Sequence, residues 1–191
     1  GLMIANRGLP EVEVLDGPDG QKTEIALTLL RCVGWLSRGD LPVRQGHAGP
    51  GYETPGAQML SIWAFDYAII PHDGDWQHAA HHAYSYQTKL RAIETGLHDG
   101  QLPVSGSFVS HSPIEFIVSA IKPADSGAGW ILRGVNITSS ALRARINPYF
   151  SFSQAYRVNL AEEKKEELEK EEDGSILVPV SGYEIVSILF R

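Results

Sequence analysis

The sequence has a single cysteine, Cys32, among 191 residues. A lone thiol excludes an internal disulfide and any zinc site built on cysteines. Positive charge is also scarce: 16 Lys and Arg stand against 23 Asp and Glu, for a formal net charge of −7. A nucleic acid or an anionic membrane would be repelled by that excess, so neither is expected as a partner. No apolar run reaches the roughly 20 residues needed to span a bilayer. No signal peptide pattern opens the chain, and a cytoplasmic location is the expectation. Two chemical signatures are missing as well. There is no His-Glu-x-x-His zinc motif, and Ser105-Gly106-Ser107 lacks the flanks of a Gly-x-Ser-x-Gly nucleophile elbow.

What remains is a series of short apolar segments divided by turn residues. The stretch 59–90 is expected to organise them. Its first part, 59–70, carries Trp63, Phe65, Tyr67 and Ile69 on one face at period two and Leu60, Ile62, Ala64, Ala68 and Ile70 on the other. Two apolar faces predict a central strand covered on both sides. Pro71-His72-Asp73-Gly74-Asp75 stops it, since proline cannot donate to a sheet ladder and Asp-Gly favours a turn. Asp73 or Asp75 can then cap an amphipathic helix with Trp76, Ala79, Ala80, Ala83, Tyr86 and Leu90 on its apolar stripe. On this reading Trp63 is core. Cys32, within the apolar run 25–33, reads as a buried small hydrophobe.

Before that stretch, strands are expected at 1–6, 11–15 and 23–33. Residues 34–58 are rich in Gly and Pro and lack periodicity, so they read as a functional loop or one packed against something else. After it, 106–111 and 114–122 lead to a turn at 124–129 and a strand at 130–138. The segments 141–146 and 155–160 alternate weakly. Mixed charges over 161–173 suggest a solvated loop or helical turn. The segments 175–180 and 183–190 suggest a hairpin about Ser181-Gly182. The predicted class is an all-β sandwich with one amphipathic helix. A boundary near 126 divides it into residues 1–126, a larger sandwich portion, and 127–191, a small C-terminal β domain. The apolar opening Gly1-Leu2-Met3-Ile4-Ala5 suggests a chain cut from something larger.

Few residues suggest chemistry. His78 and His82, four apart and with His81 beside them, could share a helix face and chelate a metal, but no acidic or cysteine ligand follows at metal spacing, and a polar helix flank is the favoured reading. His72-Asp73-Gly74-Asp75 could be a cation loop or a simple helix cap. Asn136-Ile137-Thr138 is formally a glycosylation sequon. Arg7 lies between Asn6 and Gly8, where a strand gives way to a turn that could present its charge to a ligand.

The order of several segments resembles the C-terminal region of glycoside hydrolase family 38, the α-mannosidases, in its bacterial form. They are Asn6-Arg7-Gly8-Leu9-Pro10-Glu11, Leu29-Leu30-Arg31-Cys32-Val33-Gly34-Trp35-Leu36-Ser37, Ala48-Gly49-Pro50 and Thr54-Pro55-Gly56-Ala57-Gln58. Phe65-Asp66-Tyr67-Ala68-Ile69, Pro71-His72-Asp73-Gly74-Asp75-Trp76, Ile131-Leu132-Arg133 and Tyr183-Glu184-Ile185-Val186 continue the set. The resemblance implies the end of a galactose-mutarotase-like supersandwich followed by a small terminal β domain. It also implies an upstream catalytic domain as partner, with an aspartate nucleophile, an acid/base aspartate and a bound zinc. This chain then holds no catalytic residue and no metal of its own, and alone it hydrolyses nothing. The Arg7-Gly8 step matches the family's arginine that reaches the active site, so Arg7 is expected to contact an α-mannoside, supported by Asn6 and Gly8. A free-standing carbohydrate-binding sandwich, with Trp35, Trp63, Trp76 or Trp130 as stacking platform, is the rival reading, and a purely structural domain is the third.

Overall fold

A computed structural model describes residues 1–17, 20 and 22–191. Six strands precede the helix: β1 (Leu2–Asn6), β2 (Val12–Asp16), β3 (Thr23–Leu27), β4 (Asp40–Leu41), β5 (Arg44–Gln45) and β6 (Tyr67–Pro71). Helix α1 covers Ala80–Gln87. Then come β7 (Val109–Ser112), β8 (Phe116–Pro123), β9 (Trp130–Asn136), β10 (Leu142–Pro148), β11 (Ala155–Val158), β12 (Lys164–Leu168), β13 (Ile176–Val180) and β14 (Ile185–Phe190). The all-β class is therefore observed, with one α-helix. The chain forms two compact units, one of residues 4–69 and one of residues 1–3 with 70–191.

The second unit is a two-layer antiparallel sandwich. One sheet has the order β13-β10-β7 and the other β12-β11-β14-β9-β8. Alternation along each strand explains how they pack. On β10, Ala144 and Ile146 are buried while Arg143, Arg145 and Asn147 face solvent. On β13, Ile176, Val178 and Val180 are buried. They meet Phe116, Leu132, Val186, Ile188 and Phe190 of the larger sheet in one continuous core. Each such side chain contributes roughly 1.5–3 kcal/mol when removed from water. The outer face of the larger sheet is covered too: Ala80 of α1 packs with Ile117 and Ile137. A methyl group at Gly134 would overlap the ring of Phe116, so the absence of a side chain there lets the aromatic ring lie across β9.

The turn at 124–129 joins β8 and β9 as neighbours in one sheet, as its chemistry suggested. The final hairpin is not observed. β13 pairs with β10 in one sheet and β14 with β9 and β11 in the other, so Ser181-Gly182 is an arch between layers. The charge run also differs: Lys164–Leu168 is a strand at the edge of the larger sheet. Edge strands tolerate charge because one side lacks a ladder partner and a charged edge resists pairing with other chains.

A second arch, 137–141, carries the chain from β9 to β10. Asn136 ties the two arches together. Its Nδ2 donates to Ser140 O at 2.7 Å and Ser181 O at 2.9 Å. Its Oδ1 accepts from the Thr138 amide and hydroxyl, both at 2.9 Å. The side chain is fully buried. The sequon is thereby closed to glycosylation in the folded protein, because the acceptor nitrogen is inaccessible and its hydrogens are engaged.

The 4–69 unit is built differently. β2 pairs with β3, β4 with β5, and β1 with β6, each as a two-stranded ribbon, the last also entering the other unit. Among its described residues the buried apolar side chains are Ala5 and Leu9 alone. The expected central strand is correspondingly short. Only Tyr67–Pro71 is extended and paired, while Leu60 and Ile62 are almost wholly exposed and Trp63 is 47% exposed. Trp63 is therefore not core, and Cys32, beyond the end of β3 at Leu27, is exposed rather than buried. The 34–58 segment has more internal order than its composition suggested. The Leu36 amide donates to Tyr52 O at 2.8 Å and the Thr54 amide to Gly34 O at 2.9 Å.

Two outcomes are expected. Asn136→Ala removes the donor to Ser181 O and the acceptor of the Thr138 amide, and should cost about 1–3 kcal/mol, the range for a buried polar group that loses its partner. Urea unfolding measures it, and a loss below about 1 kcal/mol would remove Asn136 from this role. Asp173 generates the second. It accepts from the Ser175 hydroxyl at 2.6 Å and amide at 3.0 Å, and from Arg145 at 2.8 Å. The Ser175 hydrogen bonds first, with Arg145 adding to them, hold its carboxyl below the ordinary 3.8. A depressed folded-state pKa stabilises the fold above that ordinary value, and the contribution is lost as pH falls through the depressed one. Thermal melts of Asp173→Asn should therefore match wild type more closely near pH 2 than at pH 6; equal gaps at both would contradict this.

Candidate functional site

The Arg7 turn follows from local geometry. β1 ends at Asn6, whose Oδ1 accepts from the Leu9 amide at 3.1 Å. This is an Asx-type turn, in which a side-chain carbonyl substitutes for a backbone acceptor. Gly8 has φ +79°, a left-handed conformation that a side chain would strain. The Arg7 amide donates to Asp66 O at 3.1 Å, which anchors the turn against the stretch before β6. Leu9, at the end of the turn, is buried. Arg7 itself is half-buried. Its backbone is thus fixed by neighbours on both sides, and its guanidinium is a permanent cation with a planar donor fork suited to carboxylates or paired hydroxyls.

The histidines fall near the start of α1. The Asp75 side chain accepts from the Trp76 amide at 2.7 Å and caps a short 3-10 turn over Trp76–His78, from which α1 continues. This is the cap that the sequence suggested. Ala79 and Ala80 are buried, but Trp76 is 47% exposed and Leu90 lies beyond the helix, fully exposed. His72, Asp73, His78 and His82 line an open hollow of about 490 Å³. Among the described residues no three His, Cys, Asp or Glu side chains are grouped to hold a metal. His81 and His82 lie ring to ring, 3.8 Å between centroids, and His81 Nδ1 is buried without a hydrogen-bond partner. Ser107 donates to Val109 O at 2.6 Å, and the hollow around Ser105 and Ser107 is lined by Leu102, Pro103, Val104, Gly106, Phe108 and Tyr149. That hollow offers neither serine a base.

The four tryptophans are each close to half exposed. Trp130 has Phe150 stacked on it, with centroids 5.4 Å apart. The Trp63 indole N–H donates to Met59 O at 2.9 Å. Trp35 instead stands beside a second open hollow with Ser37, Arg38, Gly39, Asp40 and His47. Arg38 forks onto Asp40, Nε to Oδ1 at 2.9 Å and the second nitrogen to Oδ2 at 2.6 Å. That hydrogen bonding holds the Asp40 carboxyl below its ordinary value. Sequence reasoning named Trp35 but missed Arg38, Asp40 and His47. The Arg-Gly-Asp step was the available signal, because a glycine between opposite charges lets them fold onto each other.

Fold and arrangement define a class: a two-layer antiparallel β-sandwich. Residues 115–188 match the glycosyl hydrolases family 38 C-terminal beta sandwich domain. Over the whole chain, 31% of residues are identical to a Halalkalibacterium halodurans protein named "Putative mannosylglycerate hydrolase", of which this chain spans 19%. A solved family 38 glycosyl hydrolase from Enterococcus faecalis superimposes with a TM-score of 0.74 at 25% identity, covering 100% of this chain and 20% of that one. An α-mannosidase structure from Enterococcus faecalis V583 gives 0.73 at 28% identity, over 100% and 19% of the respective chains. The chain resembles the C-terminal β-sandwich region of glycoside hydrolase family 38 proteins, and residues 115–188 carry the match to the family's own domain. The chain spans about a fifth of the length of these relatives.

Asn6→Ala should speed amide exchange at Leu9 while leaving the Arg7 amide protected, because only the first bond uses the Asn6 side chain. Equal acceleration at both would mean that the turn depends on more than the Asx bond.

Proposed function

We propose that this chain is the non-catalytic C-terminal β-sandwich part of a retaining α-mannosidase-like hydrolase, and that it supplies scaffold and Arg7 to an active site formed largely by another domain. The carrying observation is the contrast between the two units. The sandwich has a continuous core, whereas residues 4–69 expose Val12, Val14, Leu36, Leu60 and Ile62 with almost nothing buried beneath. Exposed apolar surface on that scale marks an interaction face. A covering catalytic domain of the same polypeptide accounts for it and agrees with relatives about five times longer. In this reading the nucleophile, the acid/base and a zinc ion belong to that domain, and the substrate is an α-mannoside. The hydrolase functions of the relatives favour a sugar as ligand.

Arg7 then acts by position. Its fork can hold two sugar hydroxyls or keep a neighbouring carboxylate ionised. Asn6 and Gly8 set the turn that aims it. The test compares Arg7→Ala and Arg7→Lys in the longer enzyme, with this chain alone as the blank on an aryl α-mannoside. Lysine keeps the charge but loses the fork, so both variants should lower kcat/KM by about 10- to 100-fold, or ~1.4–2.8 kcal/mol of transition-state stabilisation. Wild-type kinetics in both would return Arg7 to an ordinary surface role. Turnover by the highly purified chain alone would overturn the non-catalytic reading.

A further inference from the structure

We propose that the Trp35–His47 loop is a binding subsite for a neutral pyranose, with the Trp35 indole stacked on the sugar ring and the Arg38–Asp40 pair holding two neighbouring hydroxyls. The inference rests on the glycoside-hydrolase reading for its ligand class, but on different residues and a different measurement. The hollow is about 580 Å³ and is lined by Trp35, Ser37, Arg38, Gly39, Asp40 and His47. That size accommodates a small ligand.

Three features argue that the hollow is built rather than accidental. Its floor is fixed: the buried Ser37 hydroxyl oxygen accepts from the amides of Ala48 at 3.0 Å and Gly49 at 3.3 Å, and the Gly46 amide donates to Gly39 O at 3.0 Å. The His47 ring is seated against backbone on two sides, for a methyl at Gly39 would lie 2.9 Å from it and one at Gly51 3.1 Å. The polar pair is planar and two-pronged, with both Asp40 oxygens engaged by one guanidinium. A group held in one orientation loses little entropy on binding.

The chemistry of the lining selects the ligand. Arg38 and Asp40 cancel, so the hollow favours neither an anion nor a cation. A paired carboxylate still has free lone pairs, and the guanidinium has further N–H groups, so together they can accept from one hydroxyl and donate to the next. The exposed indole offers a flat apolar face to the C–H side of a pyranose ring, leaving its N–H at the polar edge. Trp35 is 45% exposed, and its backbone is held by a bridge to Glu53. Trp130 is less suited because Phe150 already occupies a face, and Trp63 because its N–H is spent on Met59 O.

The test is a titration of the whole chain with methyl α-mannopyranoside, followed by NMR through the indole N–H resonances, with Trp35→Phe assigning the Trp35 signal. The Trp35 resonance should move saturably, inorganic phosphate should leave it in place, and Asp40→Asn and Trp35→Ala should each weaken binding about ten-fold or more, ~1.4 kcal/mol. The amide spectrum checks the fold of each variant. Should Trp35→Ala disturb the loop, Asp40→Asn decides with Arg38→Lys, both being exposed substitutions. The proposal is overturned by absence of saturable movement at any attainable sugar concentration, by binding that the Asp40 variant leaves unchanged, or by phosphate competing for the hollow. Hydrolysis does not enter this measurement, so failure of the Arg7 kinetics and failure of the subsite are separate outcomes.

Discussion

The sandwich depends on one buried amide. Of the segments that change sheets in it, two are tied to each other, 137–141 between β9 and β10 and 181–184 between β13 and β14. Both arches carry backbone groups that no ladder satisfies. Asn136 lies between them and meets three of those needs at once, two with its Nδ2 hydrogens and one with its Oδ1, which also accepts from the Thr138 hydroxyl. Aspartate lacks the donors, and glutamine is a methylene longer in a site with no exposure. Backbone bonds complete the clasp: the Asn136 amide reaches Glu184 O and the Tyr183 amide reaches Thr138 O. Gly182 is required because a side chain there would overlap the Ser139 carbonyl. A fully satisfied buried polar group of this kind specifies a single arrangement where apolar packing would accept several.

The rest of the sandwich follows from the position of those arches. With β9 and β14 adjacent in one sheet and β10 and β13 adjacent in the other, the inward residues of all four strands face one core. Charged pairs then fasten the periphery. Arg157 holds Glu184 at 2.7 Å, and the other Glu184 oxygen accepts from the Ser181 amide, so the arch is gripped from the sheet side as well. Lys122, Asp125 and Glu162 link the 124–129 turn to the loop before β12. Of these, Lys122–Asp125 lies open to solvent and contributes modestly, as surface ion pairs do, while Glu162, Arg157 and Glu184 are more shielded.

Legibility tracked where each segment finds its cover. Alternation at 141–146 and 155–160 was enough to place β10 and β11, because the covering sheet lies within this chain. The arch at Ser181-Gly182 was misread, since a tight turn between two strands looks alike in sequence whether the strands pair or part into different layers. Asn136 was visible only as a sequon residue; nothing local marks it as the meeting point of two segments 45 residues apart. The run at 59–70 failed for another reason. Its apolar pattern on both faces states that cover is needed, and the strand at Tyr67–Pro71 is all of it that finds a partner here. Trp63 is 47% exposed and Leu60 94%. Arg7 with its supporting Asn6 and Gly8 was legible as a turn, whereas the Arg38–Asp40 pair required the fold of the loop.

The residues with the most to offer a ligand, Arg7 and the Trp35 group, both belong to the unit that lacks a core. Local stability rises with buried apolar contact, so such a unit holds its shape through hydrogen-bonded turns rather than packing. This explains why both sites are so heavily fixed by backbone bonds: the Asx turn and the Asp66 carbonyl at Arg7, the Ser37 hydroxyl and the glycine-lined seat of His47 at Trp35. The turns fix the backbone that carries each of these side chains. A sugar-binding residue on an unsupported loop would lose affinity to the cost of ordering it. Here much of that cost is met locally, by the hydrogen bonds that hold each turn.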